Sequence, residues 1–291
     1  MLSTRRFFLK ALGGVGTLSL LHACSNSSTA TEVDGGTSGT TDGGTTTTDS
    51  GTSGGIDSSG FAIGSGAYVA GKDYGDPFDA TATTCTVYTS ATKGPCHSNT
   101  YERQDVSDGL VGLPIRFALR IVDTSCNPIA GAIVEIWYAS PAGTYSEAAT
   151  AGTGSYQGSL SDLNVSFCTG NNSAALAANW LRGYQTTDSD GRVTFDSIFP
   201  GWYSSRTTHV HFIVSINGKA TDTSQLMFDE TLTTAIYTEH TSYKSRGNKD
   251  TTNANDNVIK GGLALSTALM SYAQQSDGAI LLWKQIAVAT S

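Results

Sequence analysis

Residues Leu113–Asp123 read LPIRFALRIVD, in which Ile115, Phe117, Leu119 and Ile121 recur at every second position. Successive side chains of a β-strand point to opposite faces, so a period of two places these four on one face. The stretch therefore predicts a strand that packs against an apolar core on that face.

Three more stretches show the same alternation and are bounded by Gly, Pro, Asn or Asp, namely Ala132–Trp137, Val193–Phe195 and Val210–Ile216. Helical character is confined to short stretches, Ala174–Leu181 and Gly262–Gln274. Several short strands between turn-rich loops favour two packed sheets over a helical or alternating fold. We predict an all-β fold: an antiparallel β-sandwich with long loops and few short helices.

Composition divides the chain into three parts. Residues 25–66 consist almost entirely of Gly, Thr, Ser and Asp, which cannot bury a core, and predict a flexible tether. Residues 67–291 hold nearly all of the alternating pattern and predict the folded domain. Residues 1–24 are basic and then apolar, which is typical of a targeting segment.

This first segment resembles a twin-arginine export signal. Arg5 and Arg6 precede the apolar run Ala11–Leu21, which is too short to span a bilayer as a helix. The following Leu-His-Ala-Cys resembles a lipobox ending at Cys24. The pattern predicts export and membrane contact through a lipidated Cys24, on the periplasmic or cell-surface side of the envelope. Removal of the signal without lipidation is the alternative.

The charge balance excludes one class of partner. The net charge is −8 and the pI is near 5.0, and no cluster of Lys and Arg follows the first ten residues. A nucleic-acid surface needs such a cluster to displace counterions. We therefore expect no nucleic-acid partner.

Four cysteines remain after Cys24: Cys85, Cys96, Cys126 and Cys168. An even number in an exported chain predicts two disulfides, for which three connectivities exist. We favour Cys85 with Cys96, closing a short loop, and Cys126 with Cys168, tethering the long segment that contains Cys168.

The chemistry-bearing residues cluster around one predicted strand. His209 and His211 are two apart, so their imidazoles share a face, and Tyr203 and Arg206 stand just upstream. A His-x-His pair alone is a weak metal signal, but imidazoles combined with tyrosine oxygens favour a hard, oxidised ion such as Fe(III). His240 lies in a polar stretch and is expected at the surface.

Nine ordered stretches together resemble the intradiol ring-cleavage dioxygenase family, which includes catechol, protocatechuate and hydroxyquinol dioxygenases, and in particular its secreted branch. The resemblance covers roughly residues 94–259. The stretches are Gly94–Pro95, Arg103–Val106, Cys126–Pro128, Val134–Trp137, Gly143–Ser146, Leu181–Asp188, Thr223–Leu226, Phe228–Glu230 and Arg246–Asn253.

The resemblance implies one non-haem Fe(III) per chain and a set of residues that serve it. Arg206 would face the substrate ring, Gln225 would assist it, and Tyr203 would also accept a proton when substrate binds. The implied ligands are Tyr145, Tyr203, His209 and His211.

Three positions depart from the family pattern. Tyr138 and Ala139 stand where His and Cys are common, and His97 replaces an aromatic, which leaves the pocket wall and the ring preference open. The segment between Tyr145 and Asn179 is unusually long.

The resemblance implies cleavage of a small aromatic diol by O₂ to a muconate-type dicarboxylic acid. Two alternatives stay open from the residues alone. One is a non-catalytic cell-surface β-sandwich that binds an aromatic or carbohydrate ligand. The other is a zinc hydrolase built on the two histidines, for which the sequence offers no obvious third ligand.

Overall fold

Two four-stranded sheets form the body of the protein, as a computed structural model of the chain shows. The structure describes residues 54–78, 85–98, 100–147 and 164–289, all within the compact unit Ser50–Ser291. In chain order the strands are β1 (Pro114–Val122), β2 (Ile133–Trp137), β3 (Arg182–Thr186), β4 (Arg192–Ile198), β5 (His209–Ile216), β6 (Lys219–Met227), β7 (Ser271–Gln274) and β8 (Ile280–Ala287).

The first sheet has the order β4-β1-β8-β7 and the second has the order β3-β2-β5-β6. Neighbouring strands are antiparallel except for β1 and β8, which pair in parallel. The predicted all-β sandwich is confirmed, with this one parallel pair added.

Helices are short and lie in the connections. They are α1 (Val165–Thr169), α2 (Ser173–Leu176), α3 (Glu230–Glu239), α4 (Asn257–Lys260) and α5 (Leu265–Ala268). The prediction of a helix over Gly262–Gln274 is wrong beyond α5. There the chain forms strand β7, which pairs with β8. Among the described residues no helix is long and apolar enough to cross a membrane.

The main core lies between the sheets, and the strand residues that point inward build it. In β5 these are Val210, Phe212 and Val214, which are fully buried. His209 and His211 therefore point to the outer face of the second sheet. Loops cover that face, and with the outward strand residues Trp137 and Ile213 they form a second apolar cluster, whose other members are Cys96, Ala139, Tyr145 and Cys168. The second cluster is where the candidate site lies.

Packed structure begins earlier than Ala67, the predicted start of the domain. Phe61 is part of the main core, Ala62 donates a backbone hydrogen bond to Gly278, and the Asp57 carboxylate accepts one from Thr241. The predicted tether over residues 25–66 is thus too long at its carboxyl end, because Phe61 and these hydrogen bonds hold its last residues against the domain. Residues 1–53, with the predicted signal and Cys24, lie outside the described residues.

The predicted disulfide pairing is wrong. The structure joins Cys85 to Cys126 and Cys96 to Cys168, with Cα atoms 5.4 and 5.5 Å apart. After Cys85 the chain pairs beside the end of β8, then crosses to β6 and continues to the outer face of the second sheet. Cys85 therefore lies near the ends of β1 and β8 in the first sheet, whereas Cys96 lies in the outer cluster of the second sheet, and each meets a different partner.

His240, expected at the surface, is also buried. Its Nε2 faces the Ala62 carbonyl oxygen at 2.9 Å, so the amino-terminal segment covers it. The polar neighbours of His240 in sequence gave no sign of this cover.

Candidate metal centre

The two histidines project from the outer face of β5 between neighbouring strands. His211 is paired in register with Trp137 of β2 on one side and Gln225 of β6 on the other. The Trp137 indole stacks on the His211 imidazole, with centroids 5.0 Å apart and an interplanar angle of 7°. On another side Gly94 approaches so closely that a Cβ there would lie 3.1 Å from His211 Cε1.

Loops bring the two tyrosines over the histidines. Tyr145 follows β2, and its backbone N–H donates to the Cys168 carbonyl oxygen at 2.7 Å. Tyr203 lies in the β4–β5 connection, where Gly201 passes so near the Ser140 carbonyl oxygen that a Cβ would stand 2.0 Å from it. Glycine at 201 therefore allows the close approach that sets Tyr203 beside Tyr145.

Four donor atoms converge on one point. His209 Nε2 lies 3.4 Å from the Tyr145 hydroxyl oxygen, 3.1 Å from the Tyr203 hydroxyl oxygen and 3.2 Å from His211 Nε2. Tyr145, His209 and His211 are almost completely buried. The sequence-predicted ligand residues are thus brought together, although they come from three separate segments.

Hydrogen bonding fixes the tautomer of His209. Its Nδ1 is 2.6 Å from the Thr207 carbonyl oxygen, which can only accept, so Nδ1 carries the hydrogen and Nε2 carries a lone pair. That lone pair faces the two phenol oxygens and His211. This backbone contact orients the ring in the way that outer hydrogen bonds orient metal-binding imidazoles.

Burial sets the protonation states of the histidines. Desolvation, followed by the repulsion of Arg206, lowers the pKa of His209 to about 3. Desolvation and the neighbouring His209 hold the pKa of His211 well below its usual value. Both imidazoles are therefore neutral at neutral pH and available as ligands.

The tyrosines are shifted in the opposite direction. Burial raises the pKa of Tyr145 well above its ordinary value, and burial also raises the pKa of Tyr203, which Arg206 partly offsets. Neither phenol ionises here unless more positive charge is supplied. A highly charged cation bound between them would supply it, and the donor set of two phenols and two neutral imidazoles fits a hard, oxidised ion.

Arg206 is held at the edge of this cluster by two partners. Its Nε donates to Asp256 Oδ2 at 2.8 Å, and one terminal nitrogen donates to Gln225 Oε1 at 2.5 Å. The other terminal nitrogen is left facing the cluster, 3.5 Å from the Tyr203 oxygen and 3.4 Å from His209 Nε2. Arg206 thus lies beside the four donor atoms, and Gln225 contacts Arg206.

Sequence reasoning missed Asp256. This carboxylate is fully buried and also accepts hydrogen bonds from the backbone N–H groups of Thr207 and Val258. Burial raises the pKa of Asp256, but the hydrogen bond and charge of Arg206 outweigh it, so the pKa is lowered. The only available signal was its position just after the family-like stretch ending at Asn253.

His97, whose replacement of an aromatic left the pocket wall open, does not line the cavity next to the site. It is buried behind the site, with its Nε2 2.9 Å from Glu135 Oε1 and its ring edge against Trp137. The described residues that do line this cavity of about 140 Å³ are Gly143, Tyr145, Phe167, Tyr203 and Ser204. A larger hollow of about 250 Å³ near Arg116 and Arg192 contains none of the predicted site residues.

A family model matches the part of the chain that carries the four donor residues. Residues 86–239, more than half of the chain, match the family model described as Dioxygenase. No curated protein matches significantly.

Two solved structures share the fold. One, described as an intradiol ring-cleavage dioxygenase from Tetranychus urticae, is 23% identical with a TM-score of 0.58. The other, described as dioxygenase Tetur07g02040, is 24% identical with a TM-score of 0.57. Each comparison covers 70% of this chain and 95% of the other. At these identities the likeness shows the fold alone.

Proposed function

Because this chain belongs to the intradiol ring-cleavage dioxygenase family, we propose that it cleaves catechol-type rings with O₂, using one non-haem Fe(III) held by Tyr145, Tyr203, His209 and His211. The observation that carries the proposal is the convergence of two phenol oxygens on His209 Nε2, with His211 Nε2 beside it. Bound Fe(III) would act as a Lewis acid that lowers the pKa of the diol hydroxyls and withdraws electron density from the ring.

Tyr203 is the tyrosine suited to exchange with substrate. It is only partly buried and lies in a loop, whereas Tyr145 is buried and its backbone is bonded to Cys168. If a bound cation ionised Tyr203, its oxygen would be placed to accept one proton of the diol. The pKa of Tyr203 without that added charge is raised, which would favour keeping the proton.

Arg206 supplies a fixed positive charge. Two of its three nitrogens are held by Asp256 and Gln225, so the third points at the cluster without having to reorganise during the reaction. A preorganised donor of this kind stabilises negative charge as it develops on the substrate ring. We assign Gln225 and Asp256 to positioning Arg206.

The overall reaction balances without a further reductant. The ring C–C bond between the two oxygen-bearing carbons breaks, and both atoms of one O₂ enter the product, which is a dicarboxylic acid of the muconate type. Apolar walls around the cluster limit the access of water to the reacting atoms.

The two alternatives make different demands. A non-catalytic binding module needs neither the metal nor the second tyrosine. A zinc hydrolase needs a third His, Cys or carboxylate ligand, and in the part of the chain that the structure describes no group of three such residues is placed to hold a metal. No observation of the site favours either alternative.

Metal analysis and oxygen uptake together test the proposal. We expect about one iron per chain, a visible absorption band from tyrosinate-to-Fe(III) charge transfer, and O₂ uptake when catechol is added. A pale protein that contains zinc, or an iron-loaded protein that consumes no O₂ with any of catechol, hydroxyquinol, protocatechuate or chlorocatechols, contradicts it.

A further inference from the structure

The short helix α1 is fastened beside the cavity at three points. The Asn164 N–H donates to the Pro95 carbonyl oxygen at 3.1 Å, Cys168 is joined to Cys96, and the Cys168 carbonyl oxygen accepts from Tyr145 at 2.7 Å. A helix of five residues is not stable by itself, so these anchors hold it in place.

Phe167 lies between the anchors and forms a wall of the cavity. Its ring meets the Tyr203 ring edge to face, with centroids 6.0 Å apart and an interplanar angle of 90°. Nevertheless 56% of the residue is exposed. An aromatic ring held in place but left this exposed has a free surface on which another ring can pack.

The other described lining residues are already engaged. The two tyrosine hydroxyls meet at the histidines, and the Ser204 hydroxyl is hydrogen-bonded to Asp250. Gly143 has φ of +82°, and a Cβ there would lie 2.3 Å from the Trp202 carbonyl oxygen, so that wall is backbone. Among the described lining residues, Phe167 is the one whose side chain is neither a proposed ligand nor hydrogen-bonded, so its size can be varied with all four ligands kept.

The volume of the cavity indicates the size of its ligand. About 140 Å³ is close to the roughly 150 Å³ of an apolar cavity that holds one benzene molecule. Phe167 and Gly143 both line this space, so a bulky substituent on a ring bound there would approach the Phe167 side chain.

We propose that Phe167 is the size-determining residue of the substrate site, limiting it to monocyclic aromatic 1,2-diols without bulky substituents, and that the Cys96–Cys168 disulfide positions this wall. The inference rests on the proposed function, since it concerns the same diol. It adds a limit on the size of the ring substituents and a residue outside the metal ligands.

Anaerobic titration of the iron-loaded protein tests this by binding alone, without turnover. Catechol and 4-tert-butylcatechol would be titrated against the parent, Phe167→Ala and Phe167→Leu, with the visible band as the signal. We expect the parent to bind catechol more tightly than 4-tert-butylcatechol, and Phe167→Ala to reduce that preference by about tenfold or more. A difference of a few carbons in an apolar pocket changes discrimination between ligands by that amount. Phe167→Leu should fall between them, and iron content should stay unchanged.

Val165→Ala is the matched control, because Val165 is on the same helix and partly exposed but does not line the cavity. It should leave the preference within about twofold. A Phe167→Ala protein that keeps the parent's preference overturns the inference. A parent that binds neither diol instead refutes the proposed function, so the two failures are distinguishable.

The disulfide is tested separately with the Cys96→Ser, Cys168→Ser double variant. If it retains iron, we expect the same change in preference as in Phe167→Ala, because α1 loses one of its three anchors. An iron-loaded double variant with the parent's preference would show that the disulfide does not position the wall.

Discussion

Among single residues, His209 matters most for the proposed metal centre. Its Nε2 is the atom on which the other donors converge, and its Nδ1 is committed to Thr207. We expect His209→Ala to lose both iron and the visible band, falling from about one iron per chain to almost none, because three ligands remain and one is exchangeable. Metal analysis of the purified variant measures this.

His240→Ala is the control for that experiment. It also removes a buried imidazole with a backbone partner, but one outside the cluster. It should lower the melting temperature while iron content stays at the parent level. Full iron and turnover in His209→Ala would show that the ligand assignment is wrong.

Arg206 should separate binding from chemistry. We expect Arg206→Leu to keep its iron and to bind catechol, but to react with O₂ about a hundredfold or more slowly, since a preorganised donor aimed at developing charge is worth about 3 to 4 kcal/mol. Stopped-flow mixing of the anaerobic catechol complex with O₂ measures that step. Asp256→Asn also breaks the ion pair but leaves the guanidinium in place. The rate of its reaction with O₂ should therefore decrease less than in Arg206→Leu.

If the rate of reaction with O₂ decreased equally in Arg206→Leu and Asp256→Asn, the decrease would be due to the lost ion pair. A parent-like rate in Arg206→Leu would remove Arg206 from the chemistry altogether. Because Asp256 is fully buried, a loss of stability in Arg206→Leu is expected as well and does not count against the assignment.

At the scale of elements, Asp57 fastens the amino-terminal segment to the chain just after α3. Burial alone would raise its pKa, but hydrogen bonds from Ser59 and Thr241 outweigh this and lower the pKa to about 2. A lowered folded-state pKa means that the contact stabilises the fold above about pH 4 and is lost as the pH falls toward 2.

We therefore expect Asp57→Asn to melt about 1 to 3 °C below the parent near pH 7, a small effect because Asp57 is only partly buried. The difference in melting temperature between the parent and Asp57→Asn should decrease steadily from about pH 4 downward, as the parent's carboxylate becomes protonated. Melting curves between pH 3 and 7 measure it. A gap that is constant or widens in acid contradicts this role of Asp57.

A strand or helix could be predicted from the sequence when the residues that cause it to form lie close together in the chain. The alternation in LPIRFALRIVD is local, and β1 spans Pro114–Val122, within a residue of the prediction at each end. Helix α3 reads ETLTTAIYTE, whose threonines are poor helix formers and hid it. Its start depends on the Asp229 side chain, which accepts from Thr231 and Leu232.

The candidate site was predictable for a similar reason. His209 and His211 share a strand, and Tyr145, Tyr203, Arg206 and Gln225 stand in stretches that resemble a known family. Asp256, Phe167 and the disulfide partners were not predictable, because their roles depend on which loops cover the outer face of the second sheet. The positions of these loops are set by tertiary packing, which local sequence patterns do not show.

At the scale of the whole molecule, the chain remains predicted to be exported and lipid-anchored. We propose that Cys24 carries the lipid and that residues from 25 to the first packed residues link it to the domain. Cys24→Ser should move the protein from the membrane fraction to the soluble fraction of the envelope, with unchanged iron. Fractionation checks this, and a variant that stays with membranes would exclude Cys24 as the anchor.

The most direct test of the central claim is the fate of molecular oxygen. Iron-loaded protein would be given catechol under ¹⁸O₂, and the acid product analysed by mass spectrometry. The proposed function predicts a muconate-type dicarboxylic acid that carries both labelled atoms, one in each carboxyl group. An aldehyde-acid product from cleavage beside the diol, a product without label, or no ring opening by protein with full iron would contradict it.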